Sequence, residues 1–455
     1  MFRFHIVKRI KIPRIVKEFA SIFHANQHSL YIVGGAVRNQ LLGIPSYDYD
    51  FATDATPTQI MEIFPHVIPT GIDHGTVTIL FKGEKYEVTT FRSESTYSDS
   101  RHPDSIEFAS DIHEDLSRRD FTINALSIDT RSGKLIDHHQ GILDLGKKRL
   151  RAIGDPYTRF SEDSLRILRG YRFIATLEFT FDEATKCAAS ELASTIVKVS
   201  TERIRDEFNK MLSAKRPSLG LLALQEQGVL QYIIPELSNC VGVGQKGMHK
   251  FDVFTHSVYT CDGAPRDNLI VRWAALLHDI GKPRALHTDK QGIITFHRHE
   301  IYSAELADTI LKRLKFSNHD RYAILHLIEE HMFFYTPEWT DAAVRRFIAR
   351  VGIDAIEDLF FLRRADSYGA IGAIPELAHE KEFCDRINRC IEEQDAFSLK
   401  DLKVNGRDLI KSGIPQGPLV GTILHELLET VLDDPTCNTE DKLTVIALGL
   451  KDKYS

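Results

Sequence analysis

Strand-length apolar runs alternate with helical spacing over the first third of the chain, and helical spacing fills almost all the rest. The strand-like runs are Leu30–Val33, Thr76–Phe81, Lys85–Thr90 and Leu126–Ile128. The second and third, joined through Lys82-Gly83-Glu84, read as a hairpin. Thr53–Phe64 predicts a helix with Pro57 near its first turn. Ser93–Asp111 is polar and short of aliphatics, which predicts a mobile loop. From Tyr157 onward the spacing is helical, with Val199–Leu212 amphipathic and opened by Ser200-Thr201-Glu202. Pro217, Pro235, the glycine-rich stretch at 241–247 and the region Gly369–Pro375 mark boundaries. The expectation is an α+β head with a mixed sheet, followed by an all-α C-terminal half. It divides into a head (1–155), a helical neck (156–235), a third domain (236–375) and a helical tail (376–455).

Composition narrows the class without naming it. The chain has 455 residues, 43% hydrophobic and 27% charged, as in ordinary globular domains. No run of 18 apolar residues occurs, so no membrane-spanning helix is expected. The N-terminus is basic (Arg3, Lys8, Arg9, Lys11, Arg14), and charge interrupts its apolar residues. It reads as a first helix leading into the strand at Leu30 rather than as a signal peptide, an amphipathic transit peptide being the minor alternative. Six scattered Cys without C-x-x-C fit reduced thiols in a cytoplasm. The net charge of −7 gives no global attraction for nucleic acid, so any RNA contact requires local basic patches.

The chemistry concentrates around Asp48 and Asp50 in Ser46-Tyr47-Asp48-Tyr49-Asp50-Phe51. On a strand, residues two apart share a face, and two carboxylates on one face repel unless a cation joins them. Mg²⁺ prefers hard oxygen ligands and often links a few carboxylates to substrate phosphates. Alone, D-x-D is more often a pair of solvated turn residues. The turn Val33-Gly34-Gly35-Ala36-Val37-Arg38, about a dozen residues upstream, changes that balance, because paired glycines let backbone approach phosphate. The compound pattern reads as a metal-dependent nucleotidyl-transfer site. Glu87, on the second hairpin strand and the same face as Thr89, is the candidate third carboxylate; an exposed strand charge is the plain alternative.

Arg118-Arg119-Asp120-Phe121-Thr122-Ile123-Asn124-Ala125 is dense in groups that bind phosphate and ribose, with a structural Arg–Asp pair as the simpler reading. Ser161–Phe173 predicts a single helix on which Asp163 and Arg166 share a face. A carboxylate accepts from the exocyclic amine of cytosine or adenine, and a guanidinium donates to the neighbouring ring acceptor. Uracil and guanine present a carbonyl there, and such a mismatch rejects by about 10⁴. An ordinary i,i+3 helix pair is the alternative. Arg169 continues the spacing toward a triphosphate, whereas Arg172 is nearly opposite Asp163 on an ideal helix.

Together these residues carry a resemblance. Gly34-Gly35-Ala36-Val37-Arg38, Asp48-x-Asp50, Glu87–Arg92, Arg118–Ala125, Glu162-Asp163-x-x-Arg166 and Thr201-Glu202-Arg203-Ile204 resemble, in order and spacing, the bacterial tRNA nucleotidyltransferase (CCA-adding) and poly(A) polymerase family. The resemblance covers roughly residues 28–215. It implies a DNA polymerase beta-like head, Mg²⁺ on Asp48 and Asp50, and catalysis by those two with Glu87. Nucleotide contacts are implied from Gly34, Gly35, Arg38, Arg119, Asp120, Asn124, Asp163, Arg166, Arg169 and Arg172. It further implies CTP and ATP as substrates, tRNA as partner, and a monomer or homodimer. Asn39 departs from the family, where Asp usually follows the Arg, and implies a tuned contact. Thr96–Asp104 resembles the loop associated with adding the terminal A. CCA addition is the leading expectation, with A-only addition or poly(A) synthesis as alternatives.

A second constellation lies at His278-Asp279-Ile280-Gly281-Lys282, after the apolar helix Ile270–Leu277. His256 stands upstream; His299, His331 and Asp366 stand downstream. Imidazoles with carboxylates suit a borderline divalent metal. The set resembles the HD phosphohydrolase superfamily. That implies His256, His278, Asp279 and Asp366 as minimal ligands for Ni²⁺, Mn²⁺ or Co²⁺, and His299 and His331 as extra ligands in two-metal members. An HD-type RNA phosphohydrolase with an RNA-binding head is therefore the competing function, and a structural or decayed metal site the competing role. The tail segment around Gly413–Gly421 predicts a helix opened at Pro418, with neighbouring basic residues available to RNA.

Overall fold

The computed structural model describes residues 10–46, 48–72, 75–94, 106–109, 111–245, 250–373, 379–393 and 396–454. The chain packs as two units, Met1–Ser238 and Asn239–Ser455. The division between them lies three residues inside the expected third domain, which begins at 236.

The strands of the head are β1 Leu30–Val33, β2 Asp50–Thr53, β3 Val67–Gly71, β4 Thr76–Phe81, β5 Glu84–Thr90, β6 Arg92–Glu94, β7 Ile106–Phe108, β8 Leu126–Asp129 and β9 Leu135–Asp137. Seven form a mixed sheet in the order β3-β4-β5-β2-β1-β8-β9. Within it β2 and β5 run parallel, and every other pairing is antiparallel. Alternation along β2 and β5 sorts the side chains. Phe51 and Tyr86 point to one face, where they join Phe19, Phe23 and Phe64 with ring centroids 4.7–5.4 Å apart. Each such pair contributes about 0.5–1.5 kcal/mol beyond burial. The opposite face carries Asp50 and Glu87 at its end. It is closed over Ala52 by a core of Val33, Phe91, Ile112, Leu116 and Ile153.

The second unit is helical apart from a small ribbon, His287–Thr288 with Ile294–Thr295. Its first helices are capped by short polar side chains, which satisfy backbone N–H groups that the first turn leaves open. Asp252 accepts from Thr255 N at 2.8 Å, and Asn268 accepts from Val271 N at 3.1 Å. Helices Val253–Gly263, Leu269–Leu277, Asn318–Glu330 and Ile353–Ile371 bury one another's apolar faces. The tail has a separate core of Val404, Leu409, Ile423, Leu427 and Leu443. Among the described residues no helix is long and apolar enough to cross a membrane, and all six Cys are free thiols.

Three local expectations change. Thr53 belongs to β2, and the following helix is Pro57–Ile63, started by a capping box between Thr56 and Gln59. β2 begins at Asp50, so Asp48 lies in the segment before it and not on the strand. Ser161–Phe173 is two elements: Pro156–Glu162 ends at Asp163, whose φ of −147° and ψ of 102° are extended, and Leu165–Leu177 begins after Ser164. Asp163 instead accepts from Leu165 N at 3.1 Å, and a short polar side chain bonding nearby backbone competes with helix continuation. The segment 96–104 lies outside the described residues, as does most of the expected mobile loop.

Candidate functional sites

In the head, the parallel register of β2 and β5 sets Asp50 beside Glu87. Asp48 is near enough to act on the same group: burial, then Asp48, then Glu87, raise the Asp50 carboxyl, and Arg119 opposes them. Solvent reaches Asp50 at the open edge even though protein packs around its carboxylate. Three carboxylates in mutual repulsion form a set of hard donors that a divalent cation would relieve.

Gly34 makes the turn next to them. Its φ of 70° favours glycine, and a Cβ there would lie 3.1 Å from Arg119 Nη1 and 3.8 Å from Asp50 Oδ2. Asp115, fully buried, holds Arg118 at 2.6 Å and Arg119 at 3.0 Å. The buried Nε of Arg119 finds no partner among the described residues.

Beside this, three guanidiniums gather around one aromatic ring. Arg38, Arg169 and Arg172 lie 5.1, 5.9 and 4.1 Å from the Phe173 centroid. A continuous network fixes them. Arg38 donates to Asn124 Oδ1 at 2.6 Å and to Asn39 Oδ1 at 2.9 Å. Asn124 donates to Asp120 at 2.9 Å, and Asp120 pairs with Arg169 at 2.6 Å. Buried Glu207 takes Arg172 at 2.7 Å and Arg169 at 3.7 Å. Burial opposes ionisation of Asp120, but Arg169 and the bonds from Asn124 and Phe121 N hold its carboxyl well below the usual range. Burial and the nearby Arg172 push Arg38 down to about 10, still charged near neutrality. Concentrated positive charge of this kind suits a polyphosphate. The ideal-helix objection to Arg172 disappears, because Glu207 and Phe173 draw its side chain back to the cluster.

The side chains of Asp163 and Arg166 turn to different partners. Asp163 receives Arg203 at 2.8 and 3.3 Å. Buried Arg166 bonds Glu162 at 2.5 Å and the carbonyls of Arg159 and Arg118 at 3.0 Å. Gly35 lies at the start of the helix Gly35–Leu41. Sequence reasoning gave no role to Asp115, Phe173, Arg203 or Glu207. Their signal was faint: charged residues on amphipathic helices are usually solvated, an aromatic such as Phe173 usually packs in the core, and Arg203 entered only as part of a family motif.

In the second unit, all six expected ligands converge. His256 Nε2 lies 3.3 Å from Asp279 Oδ2 and 3.1 Å from Asp366 Oδ1. His278 Nε2 lies 3.3 Å from Asp279 Oδ2 and 3.6 Å from Asp366 Oδ1. His299 Nε2 lies 3.2 Å from Asp279 Oδ1 and 3.3 Å from His331 Nε2. Two groups with ligand atoms within 4.8 Å of one another, His256-His278-Asp279 and Asp279-His299-His331, share one carboxylate. The head carboxylates form no such closed group among the described residues, in keeping with an ion held partly by substrate phosphates. His278, His299 and His331 each donate Nδ1–H to a backbone carbonyl one turn back, at 2.7–2.9 Å. That fixes the tautomer with Nε2 as the lone-pair nitrogen aimed inward. The donor set therefore fits divalent metal, with room for a bridging Asp279.

The local sequence explains the convergence. Gly281 follows the His-Asp pair, and a Cβ there would meet His299 O at 2.5 Å and Ser303 N at 2.4 Å. Only glycine lets helix His299–Arg313 approach closely enough to deliver His299. Burial disfavours charge on His278, but Asp279 and Asp366 outweigh it and push the imidazole up to about 10. His331, buried and facing His278, falls to about 3.

Comparison with known proteins agrees with this layout. Residues 30–151 match the family model for the poly A polymerase head domain, 178–240 match the probable RNA and SrmB-binding site of polymerase A, and 247–371 match the HD domain. A CCA-adding enzyme of Lactobacillus gasseri is 32% identical over 420 residues, covering 92% of each chain. One from Enterococcus faecalis is 45% identical over 229 residues, 50% of this chain and 56% of its own. The crystal structure of the Bacillus stearothermophilus CCA-adding enzyme in complex with CTP superposes with a TM-score of 0.75 at 26% identity, over 98% of this chain and 99% of that one. The Thermotoga maritima CCA-adding enzyme complexed with tRNA shares the fold, with a TM-score of 0.57 at 21% identity over 98% and 97% of the two chains. With a relative above 30% identity along nine-tenths of its length, this chain belongs to the CCA-adding enzyme family.

Proposed function

We propose that this protein adds CMP and AMP, from CTP and ATP, to the 3′ end of tRNA without a template, through the head cleft. The observation that carries the reading is the pairing of Asp50 with Glu87 beside Asp48, next to the Arg38–Arg169–Arg172 cluster. A nucleotidyltransferase head and an HD domain both imply dependence on divalent metal.

Asp48 and Asp50, with Glu87 alongside, are the residues that would hold Mg²⁺, which when bound lowers the pKa of the attacking hydroxyl and offsets charge on the leaving pyrophosphate. The guanidiniums of Arg38, Arg169 and Arg172 hold the triphosphate, and Arg119 lies over the turn at Gly34. Asp120 and Asn124 keep Arg38 and Arg169 aimed. The tRNA 3′-oxygen attacks the α-phosphorus in line, the new phosphodiester bond forms, and the bond to the β-phosphate oxygen breaks. Asp163 accepts from the exocyclic amine of C or A, and Arg166 stiffens that turn or donates to the base. Incubating tRNA lacking CCA with each nucleotide and sequencing the product ends tests the reading. Use of CTP separates it from A-only addition and from poly(A) synthesis, and the sequence at 96–104 favours the capacity for the terminal A. A tRNA substrate and free thiols suit work in a cytoplasm.

A second reading, of the HD site as an additional phosphohydrolase, is favoured by the two ligand groups sharing Asp279. Ni²⁺, Mn²⁺ and Co²⁺ suit the mixed N/O donors. Water would add to phosphorus as the ester oxygen leaves with a proton. Phosphate release with each metal tests it.

A further inference from the structure

The three guanidiniums around Phe173 are served by only two carboxylates. Asp120 pairs with Arg169 at 2.6 Å, and Glu207 takes Arg172 at 2.7 Å and Arg169 at 3.7 Å. Arg38 has no ion pair among the described residues; its partners are two neutral amides. Nη1 donates to Asn124 Oδ1 at 2.6 Å, while Nε and Nη2 donate to Asn39 Oδ1 at 3.2 and 2.9 Å. Resting on the nucleotidyl-transfer reading of the head, we infer that Asn39 sets how tightly this protein holds a nucleoside triphosphate, by orienting Arg38 without neutralising it.

A carboxylate at this position would also hold the guanidinium in place, but it would cancel its charge. A carboxamide has nearly the same shape and offers the same acceptor with no charge. Asn124 is likewise an amide. Its own Nδ2 donates to Asp120 at 2.9 Å, so the nearest carboxylate reaches Arg38 only through that amide. The surplus positive charge of the cluster therefore sits on Arg38. Burial and then Arg172 push its guanidinium down to about 10 against the pull of Asp120, and it stays charged near neutrality.

That charge lies at the site. A Cβ on Gly35 would be 3.5 Å from Arg38 Nη2, so this nitrogen rests against the glycine turn. The neighbouring Gly34 borders Arg119 and Asp50 in the same way. The bonds to the two amides leave one N–H on each terminal nitrogen of Arg38 open to donate. A phosphate oxygen there gains a charge-assisted bond from a guanidinium that gives up no ion pair to make it. Arg169 and Arg172 must instead divide themselves between substrate and carboxylate. Asn39 acts through Arg38 and is a positioning residue. Its influence falls on the triphosphate, which CTP and ATP share, and so does not depend on the base.

The test is equilibrium binding of CTP, ATP and inorganic tripolyphosphate to the full chain, with Mg²⁺ and without tRNA, at low and high salt. Wild type is set against Asn39→Asp, Asn39→Leu and Arg38→Ala, with melting curves to confirm folding and initial rates to split KM from kcat. Asn39→Asp keeps the shape and adds the charge. It is expected to weaken all three probes about tenfold, equally for the two nucleotides, to act on KM more than on kcat, and to flatten the salt dependence. Asn39→Leu removes the acceptor and adds no charge; it is expected to cost about threefold and keep the wild-type salt dependence. A merely structural Asn39 would rank the two the other way, since Asp would still hold Arg38 and Leu would not. Should Asn39→Asp fail to fold, Asn39→Glu carries the same expectation. An acidic variant that binds as tightly as wild type, or more tightly than Asn39→Leu, overturns the inference. If Arg38→Ala is then still weakened, the triphosphate reading of the head survives alone. If Arg38→Ala binds CTP as well as wild type does, the triphosphate is not held at Arg38, and that reading falls too.

Discussion

Arg203 donates through both terminal nitrogens to the carboxylate of Asp163, at 2.8 and 3.3 Å, across 40 residues of sequence. Asp163 sits in the extended break between two helices, where Leu165 N at 3.1 Å and Arg203 together orient its carboxylate. Arg203→Ala should lower kcat/KM for CTP and ATP by roughly tenfold and narrow the gap to UTP and GTP, with Asp163→Ala a stronger version. Steady-state kinetics with all four nucleotides decide it. Ratios that stay fixed in both variants remove Asp163 from base choice.

Asp50 is held uncomfortably. Its pKa is raised, so the native state binds its proton more readily than the unfolded chain does. Metal-free stability is therefore lost as pH rises through the window from the unfolded carboxylate value, about 3.9, to the raised native one. Asp50→Asn should raise the metal-free melting temperature at pH 7 by ~2 °C, and this gain should vanish as pH falls below that window. Nucleotide addition should drop at least about a hundredfold in Asp50→Asn and in Asp48→Ala, with tRNA binding kept. Near wild-type rates with folding intact would strip both of the metal role.

Glu207 is the buried anchor of Arg169 and Arg172. Glu207→Ala leaves these guanidiniums short of a partner and should cost about 1–3 kcal/mol, less than a fully buried pair because both arginines keep some exposure. The KM for nucleotide should rise several-fold, and Glu207→Gln should recover part of both. Chemical denaturation and initial rates measure the two effects. Loss of stability with an unchanged KM would show a purely structural anchor.

The HD site should be separable. His278→Ala with Asp279→Ala should abolish metal binding and phosphohydrolysis while CCA addition stays within about twofold. Burial works against a proton on His278, yet the carboxylates push it up to about 10, so a metal must displace that proton at neutral pH. Calorimetry in buffers of different ionisation enthalpy should show proton release on metal uptake, and weaker uptake as pH falls. Metal binding without proton release would contradict this arrangement.

Element type was legible where a short-range pattern sufficed. The strands Leu30–Val33 and Thr76–Phe81 occur with the bounds that their apolar runs give, because a short apolar run is a property of consecutive residues. Helix Thr201–Leu212 begins after Ser200 as its polar start signals. The break at Asp163 was not legible, since Asp163 bonding Leu165 N competes with a helix that the apolar spacing permits.

By itself, then, the sequence determined which chemistry is available: the carboxylates at 48, 50 and 87, arginines suited to phosphate, and a His/Asp set suited to metal. Tertiary structure alone decided which of these groups meet. Parallel pairing of β2 with β5 brought Glu87 to Asp50. Glu207 turned Arg172 back to Arg38, and the bare Cα of Gly281 let His299 reach Asp279. Such contacts join residues tens of positions apart, and their geometry is set by burial and packing of whole elements, which no local spacing encodes.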